Sequence, residues 1–136
     1  MNIALGADHR GIETARLIAE HLERQGHETL VFGPKGAESC DYPEPAYGVA
    51  KSVAEGRADW GVLICGTGIG VSIAANKVHG GRAAVVHDEL TTQLSRSHND
   101  ANVLSIGARV VGTGLASNGA VWVYDTTEVP SGIVFN

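Results

Sequence analysis

Cys65 is followed at once by Gly66-Thr67-Gly68-Ile69-Gly70, so a thiol, a hydroxyl and three glycines fall within one short stretch. A deprotonated thiol can act as a base or a nucleophile. Glycines at this spacing make a tight turn, and a turn that opens a helix presents free backbone N–H groups to an anion. The same donors favour a thiolate and draw its pKa below the free value of ~8.5. The plain alternative is an inert buried cysteine with a threonine that merely satisfies a turn. Two further pairs carry polar chemistry: Asp8-His9, directly after an apolar N-terminal run, and His98-Asn99, inside the polar turn Ser97-His98-Asn99-Asp100. Read blandly, Asp8 caps a helix beside a surface histidine, and His98 or Asn99 simply starts a turn.

Rival chemistries are weaker. A cysteine phosphatase loop needs an arginine six residues after the cysteine, and Val71 stands there. GTGIG lacks the third glycine of a dinucleotide fingerprint, again because of Val71, and lacks the Gly-Lys-Ser/Thr of a P-loop. Asp88 lies where a ribose-binding acid would fall, so a dinucleotide module stays open. His21 and His27 read as surface residues, His79 and His87 as loop residues without a role. No two histidines make a short metal-ligand spacing with a carboxylate or cysteine, so no metal is expected.

The elements that must position these residues alternate along the chain. Residues 2–7 form a short apolar strand; Ile12, Ala15, Ile18, Ala19 and Leu22 then recur at helical spacing, with Gly26 as a stop. Residues 28–32 are a second strand, residues 33–45 a loop with three prolines, and residues 47–55 a second helix. The run Val62-Leu63-Ile64-Cys65 suits a strand (61–65) buried on both faces, with a helix over 71–77 after the glycine turn. Strand four covers 83–86, Asp88 caps a helix to about Arg96, and strand five covers 103–106. A weak last helix is expected over 115–124, where Asn118, Gly119, Val121 and Val123 disfavour it; the tail 126–136 has no helical pattern. Five alternations predict one doubly wound α/β domain over residues 1–136, with a five-stranded parallel sheet in the order 2-1-3-4-5. Ligands bind such sheets where the strand order reverses, between strands one and three. That point would join Asp8-His9 to Cys65-Gly66-Thr67.

Composition narrows the partners. The 136 residues are 43% hydrophobic and 18% charged, which suits one globular core. A net charge of −5 and no cluster of lysines or arginines argue against nucleic acid or an anionic membrane surface. No apolar run approaches the ~18 residues of a membrane span. MNIALGADHRG reads as strand and turn and not as a signal peptide. Cys40 and Cys65 make no disulfide framework, which places the chain in the reducing cytoplasm.

Four segments, GADHRG (6–11), DYP (41–43), ICGTGIGVSIAANK (64–77) and QLSRSHNDANVLSIGARVVG (93–112), together resemble the ribose-5-phosphate isomerase B / galactose-6-phosphate isomerase family, in one register from Asn2 to Gly112. The resemblance implies a Rossmann-like α/β/α sandwich that works as a homodimer or tetramer with shared active sites. It also implies aldose–ketose interconversion of a sugar phosphate without metal or coenzyme, ribose 5-phosphate to ribulose 5-phosphate by default. By position, Cys65 would be the base that moves a proton between C1 and C2 through a cis-enediolate. Thr67 and the N–H groups of Gly66, Gly68, Ile69 and Gly70 would stabilise the enediolate oxygens. Asp8 would bind hydroxyls and assist proton transfer between oxygens. His98 of the neighbouring subunit would open the sugar ring, as an imidazole of ordinary pKa ~6.5 can. Asn99 would hold a substrate oxygen, His9 would lie towards the phosphate, and Arg109 would also contact substrate.

The tail departs from that family. Members usually carry two tail arginines that clamp the phosphate of the adjoining site. Here the matching turn is Pro130-Ser131-Gly132, Ile133 replaces the first arginine, the chain ends at Asn136, and no lysine or arginine follows Arg109. On this reading a bidentate guanidinium–phosphate contact would be missing. Three explanations compete: a substrate with its phosphate missing or placed near His9 and Arg10, a paralogous subunit that supplies the clamp, or a weakened relative. The favoured expectation is an active isomerase with altered substrate. Galactose or allose 6-phosphate, a tetrose phosphate and an unphosphorylated aldose are the competing sugars, and a non-catalytic phosphate- or nucleotide-binding module is the competing class.

Overall fold

The computed structural model describes residues 1–36 and 38–111. The chain runs β1 (Asn2–Ala7), α1 (Ile12–Arg24), β2 (Glu28–Phe32), α2 (Pro43–Ala54), β3 (Trp60–Cys65), α3 (Ile69–Asn76), β4 (Ala83–Val85), α4 (Glu89–Ser97), β5 (Val103–Gly107) and α5 (Ala108–Val111). All strand pairs are parallel. β1, β3 and β5 are buried almost throughout, while β2 and β4 keep exposed positions. Strands covered on both faces read as continuous apolar runs and not as alternating ones. One face packs Ile3, Leu5, Val62, Ile64, Leu104 and Ile106 against the predicted apolar stripe of α1. The other packs Ala4, Leu63, Cys65 and Val103 against Val49 and Ala50 of α2 and Val71 and Ala75 of α3.

The predicted α/β architecture and parallel sheet hold, but the strand order needs one correction. The sheet runs β2-β1-β3-β5-β4 and not 2-1-3-4-5. β5 pairs with β3 from Gly61↔Val103 to Cys65↔Gly107, and β4 adds only three pairs to its outer side. The reason is burial. Val103–Gly107 is buried at every position, whereas Ala83–Val85 is short and partly exposed, which suits an edge. A right-handed crossover from β4 back to β5 then sends α4 to the α1 face. There the Arg96 guanidinium lies 4.7 Å over the ring of Trp60, which packs on the α1-side core. The reversal between β1 and β3 is untouched.

Boundaries shift where turn chemistry was misread. Two of the three prolines assigned to a loop, Pro43 and Pro45, open α2, because Pro43 sits in the first turn, where no intrahelical acceptor awaits its missing N–H. α3 begins at Ile69 and not Val71, and the single turn α5 was not anticipated. His21 and His27 are half-buried at the surface. The helix expected over 115–124, the tail 126–136 and the turn at Pro130-Ser131-Gly132 with Ile133 lie outside the described residues. No helix among the described residues is long and apolar enough to cross a membrane.

Two local features generate tests. A Cβ on Gly11 would meet the Ile64 carbonyl oxygen at 2.6 Å, so only glycine lets the start of α1 approach β3 this closely. Gly11→Ala should lower the unfolding free energy in urea by about 1–3 kcal/mol, the usual cost of overpacking. Asp88 caps α4 as expected: its Oδ1 accepts the Thr91 N–H at 2.7 Å and the Thr91 hydroxyl at 3.0 Å. These bonds, the backbone one foremost, hold its carboxyl below the usual range. A depressed folded pKa stabilises above the unfolded value and loses that effect as pH falls through the folded one. Asp88→Ala should therefore lower Tm most at neutral pH, and the gap to wild type should narrow as pH drops below ~4.

Candidate active site

Register decides what meets at the sheet's C-terminal edge. Ala7 lies beside Ile64, so the next residues, Asp8 and Cys65, leave adjacent strands at the same level. A cavity of about 360 Å³ opens there. Asp8, His9 and Arg10 line it from the end of β1, and Cys65, Gly66, Thr67 and Gly70 from the end of β3. Cys40, Asp41 and Tyr42, just ahead of α2, close one side, and Arg109 of α5 another.

The turn after β3 is held from both sides. Gly68 has φ +80°, and a Cβ there would stand 3.0–3.2 Å from the backbone of Ile106 and Gly107. Glycine is thus required for conformation and for space. The Gly68 N–H donates to the Cys65 sulfur at 3.2 Å, which stabilises negative charge gathering on it. The Ile69 N–H donates to the Thr67 Oγ1 at 3.2 Å, leaving the hydroxyl's own proton to donate elsewhere. Gly68 and Ile69 therefore direct their N–H groups at the sulfur and the hydroxyl, and neither residue lines the cavity. Below the turn, a Cβ on Gly107 would meet the Thr67 backbone at 2.6 Å, and the Gly107 N–H donates to His87 Nε2 at 3.0 Å. His87, expected to have no role, fixes the strand end on which the turn rests.

Asp8 is only 4% exposed. Its Oδ1 accepts the N–H groups of Arg10 at 2.9 Å and Gly11 at 3.1 Å, and its Oδ2 lies 3.9 Å from the Arg10 guanidinium. These bonds close a turn ahead of α1, whose N-cap is Gly11 with no side-chain cap bond, so Asp8 does not cap the helix as the bland reading expected. His9 is exposed, with Nδ1 3.2 Å from the Cys40 carbonyl oxygen. Burial, then the carboxylates of Glu44, Asp8, Asp41 and Glu38, push the Cys40 thiol up, so it stays protonated at neutral pH.

Of the residues singled out from sequence, Asp8, His9, Cys65, Gly66, Thr67, Gly70 and Arg109 come together. His98 and Asn99 do not: both are exposed at the end of α4 and neither lines the cavity of its own chain. Asp88 does not line it either, which removes the acid that a dinucleotide reading needs. Arg10 was named only as a place where the phosphate could sit, and Cys40, Asp41 and Tyr42 were not assigned to the site. The DYP motif was the available signal, since the Tyr42 ring packs directly on Gly70 where any Cβ would collide with it. No group of three or more His, Cys, Asp or Glu able to hold a metal occurs among the described residues.

Comparison with known proteins gives a consistent result. A model of the family described as Ribose/Galactose Isomerase matches residues 3–131. The chain is 51% identical to ribose-5-phosphate isomerase B of Escherichia coli over 84% of its own length and 76% of that protein's. It is 42% identical to a D-erythrulose-4-phosphate isomerase of Pectobacterium atrosepticum, over 85% and 77% of the two lengths. It is 40% identical to the galactose-6-phosphate isomerase subunit LacB of Clostridium acetobutylicum, over 87% and 68%. Among solved structures, ribose-5-phosphate isomerase B of Clostridium thermocellum matches with a TM-score of 0.84 at 49% identity, covering 90% of this chain and 83% of that one. The chain therefore belongs to the Ribose/Galactose Isomerase family and is an isomerase.

Proposed function

We propose that the protein interconverts an aldose phosphate and its ketose through a cis-enediolate, with ribose 5-phosphate and ribulose 5-phosphate as the pair. The observation that carries this reading is the meeting of the Cys65 sulfur, the Thr67 hydroxyl and the Asp8 carboxylate on one cavity. At about 360 Å³ it lies at the small end of the ~300–1,000 Å³ range of ligand sites, which suits a short sugar. Cys65 takes the proton from the carbon next to the carbonyl and returns it to the neighbouring carbon. Charge passes to the enediolate oxygens, where the Thr67 hydroxyl and the backbone of the cavity-lining Gly66 and Gly70 supply donors, while the Gly68 and Ile69 N–H groups serve the sulfur and the hydroxyl. Asp8 passes the hydroxyl proton between the two oxygens. The relatives named for tetrose and hexose phosphates make those sugars the nearest competing substrates.

His98 and Asn99 belong to this site only if a second copy supplies them. Their exposure outside the cavity of their own chain supports that arrangement. So do Ile69 and Ile73, one turn apart on α3 and 55% and 56% exposed, which offer apolar surface beside the cavity. A homodimer or tetramer with shared sites follows, and His98 opens the cyclic sugar by general acid–base transfer. A paralogous subunit could fill the same place.

Ketose formation from a panel of phosphorylated and free aldoses tests the activity itself. In that assay Cys65→Ala should lower kcat by about 10²–10⁴-fold with unchanged circular dichroism, because a general base is removed and little volume is lost. Full activity in Cys65→Ala would assign the base elsewhere. His98→Ala should damage turnover of cyclic sugars far more than that of an open-chain substrate; equal loss on both would remove ring opening from its role.

A further inference from the structure

We propose that Arg10 binds the phosphate of the substrate together with Arg109, the two guanidiniums forming an anion seat within one protomer at the mouth of the cavity. The inference rests on the isomerase reading above and names the residue that selects for a phosphorylated sugar.

All ten lysines and arginines of the chain fall at or before position 109. Among the described residues, only Arg10 and Arg109 of these ten line the cavity. The others are placed elsewhere: Arg16 donates to the Pro34 carbonyl, Lys51 and Arg57 pair with Glu55, and Arg82 donates to the Asn99 carbonyl. Arg10 and Arg109 come from opposite ends of the described chain and converge on one point. An atom at the Cβ position of Gly66 would stand 3.6 Å from the Cδ of each and 3.9 Å from the Arg109 Nε. Gly66 directly follows Cys65, so the pair flanks the cradle itself. Arg109 is anchored there, its N–H donating to the Gly66 carbonyl at 3.0 Å.

Two arginine side chains whose stems meet on one glycine bring like charges to the same cavity, and an anion between them would relieve that repulsion. Asp8 answers this in part, but its Oδ1 accepts two backbone N–H groups and its Oδ2 is 3.9 Å from Arg10, a long contact for an ion pair. The Arg10 side chain is 51% exposed, and a pair so open to water is weak. Its remaining donors suit the oxygens of a phosphate monoester, which a planar guanidinium binds bidentately. Asp41 also lines the cavity, and its carboxylate can accept from sugar hydroxyls. A polyol with a phosphate at one end matches that polarity.

A simpler role for Arg10 is to steady Asp8, and the two roles separate by experiment. Arg10→Ala and Arg10→Lys are compared with wild type in the full-length protein, using ribose 5-phosphate, ribose and inorganic phosphate as a competing ligand. Arg10→Ala should raise KM for ribose 5-phosphate and Ki for inorganic phosphate about tenfold or more, as loss of charged hydrogen bonds does. The loss in kcat/KM should be much larger on ribose 5-phosphate than on ribose, and Arg10→Lys should recover part of it. An unchanged Ki, or equal losses on both sugars, overturns the proposal and assigns Arg10 to Asp8. Should wild type turn over no sugar, the isomerase reading fails on its own. Protection of Cys65 from iodoacetamide by inorganic phosphate, read by mass spectrometry, then decides: protection lost in Arg10→Ala upholds the anion seat, and protection equal in both proteins overturns it.

Discussion

The N–H of Gly68 reaches the sulfur of Cys65 because the turn between them is pressed against the end of β5, and the rest of the site depends on that contact. Gly68 takes a positive φ that other residues resist, in a space with no room for a Cβ above Ile106 and Gly107. Once it does so, the sulfur has a fixed donor, Thr67 is turned towards the cavity, and α3 begins one residue later. A thiol on a mobile loop would find such a donor only part of the time. Here the backbone supplies it permanently, and the donor needs no rearrangement when charge develops.

That support explains why the order of the last two strands matters for chemistry. With β5 next to β3, Gly107 lies beside Cys65 in the sheet and directly under Thr67. β4, at the edge, then delivers His87 to the Gly107 N–H from the outer side. The fully buried strand braces the reactive turn, and the short exposed one takes the position that costs least.

Electrostatics divide the cavity in a similar way. Asp8 is buried, yet one of its oxygens is satisfied by the backbone that starts towards α1, so the carboxylate is held rigidly where a substrate can meet it. Carboxylates gather around Cys40 and help keep that thiol protonated, whereas the side chains of Arg10 and Arg109 meet at Gly66, next to the second thiol. Two cysteines on one cavity are thus given different surroundings by their neighbours.

Much of this was legible in the sequence. β1 and β2 fall on the predicted residues, the α1 stripe at Ile12, Ala15, Ile18, Ala19 and Leu22 is buried as its spacing required, and Asp88 caps α4. The meeting of Asp8 with Cys65 was legible too, because a parallel sheet that reverses between β1 and β3 leaves few alternatives. Such features are local: hydrophobic period, caps and glycine turns act over a few residues, and a linear reading contains all the residues involved. The partnership of β5 with β3, the support from His87 and the convergence of Arg10 with Arg109 were decided by tertiary structure alone. Each depends on which distant segments compete best for the same buried space, and that competition is settled only when the whole chain packs at once.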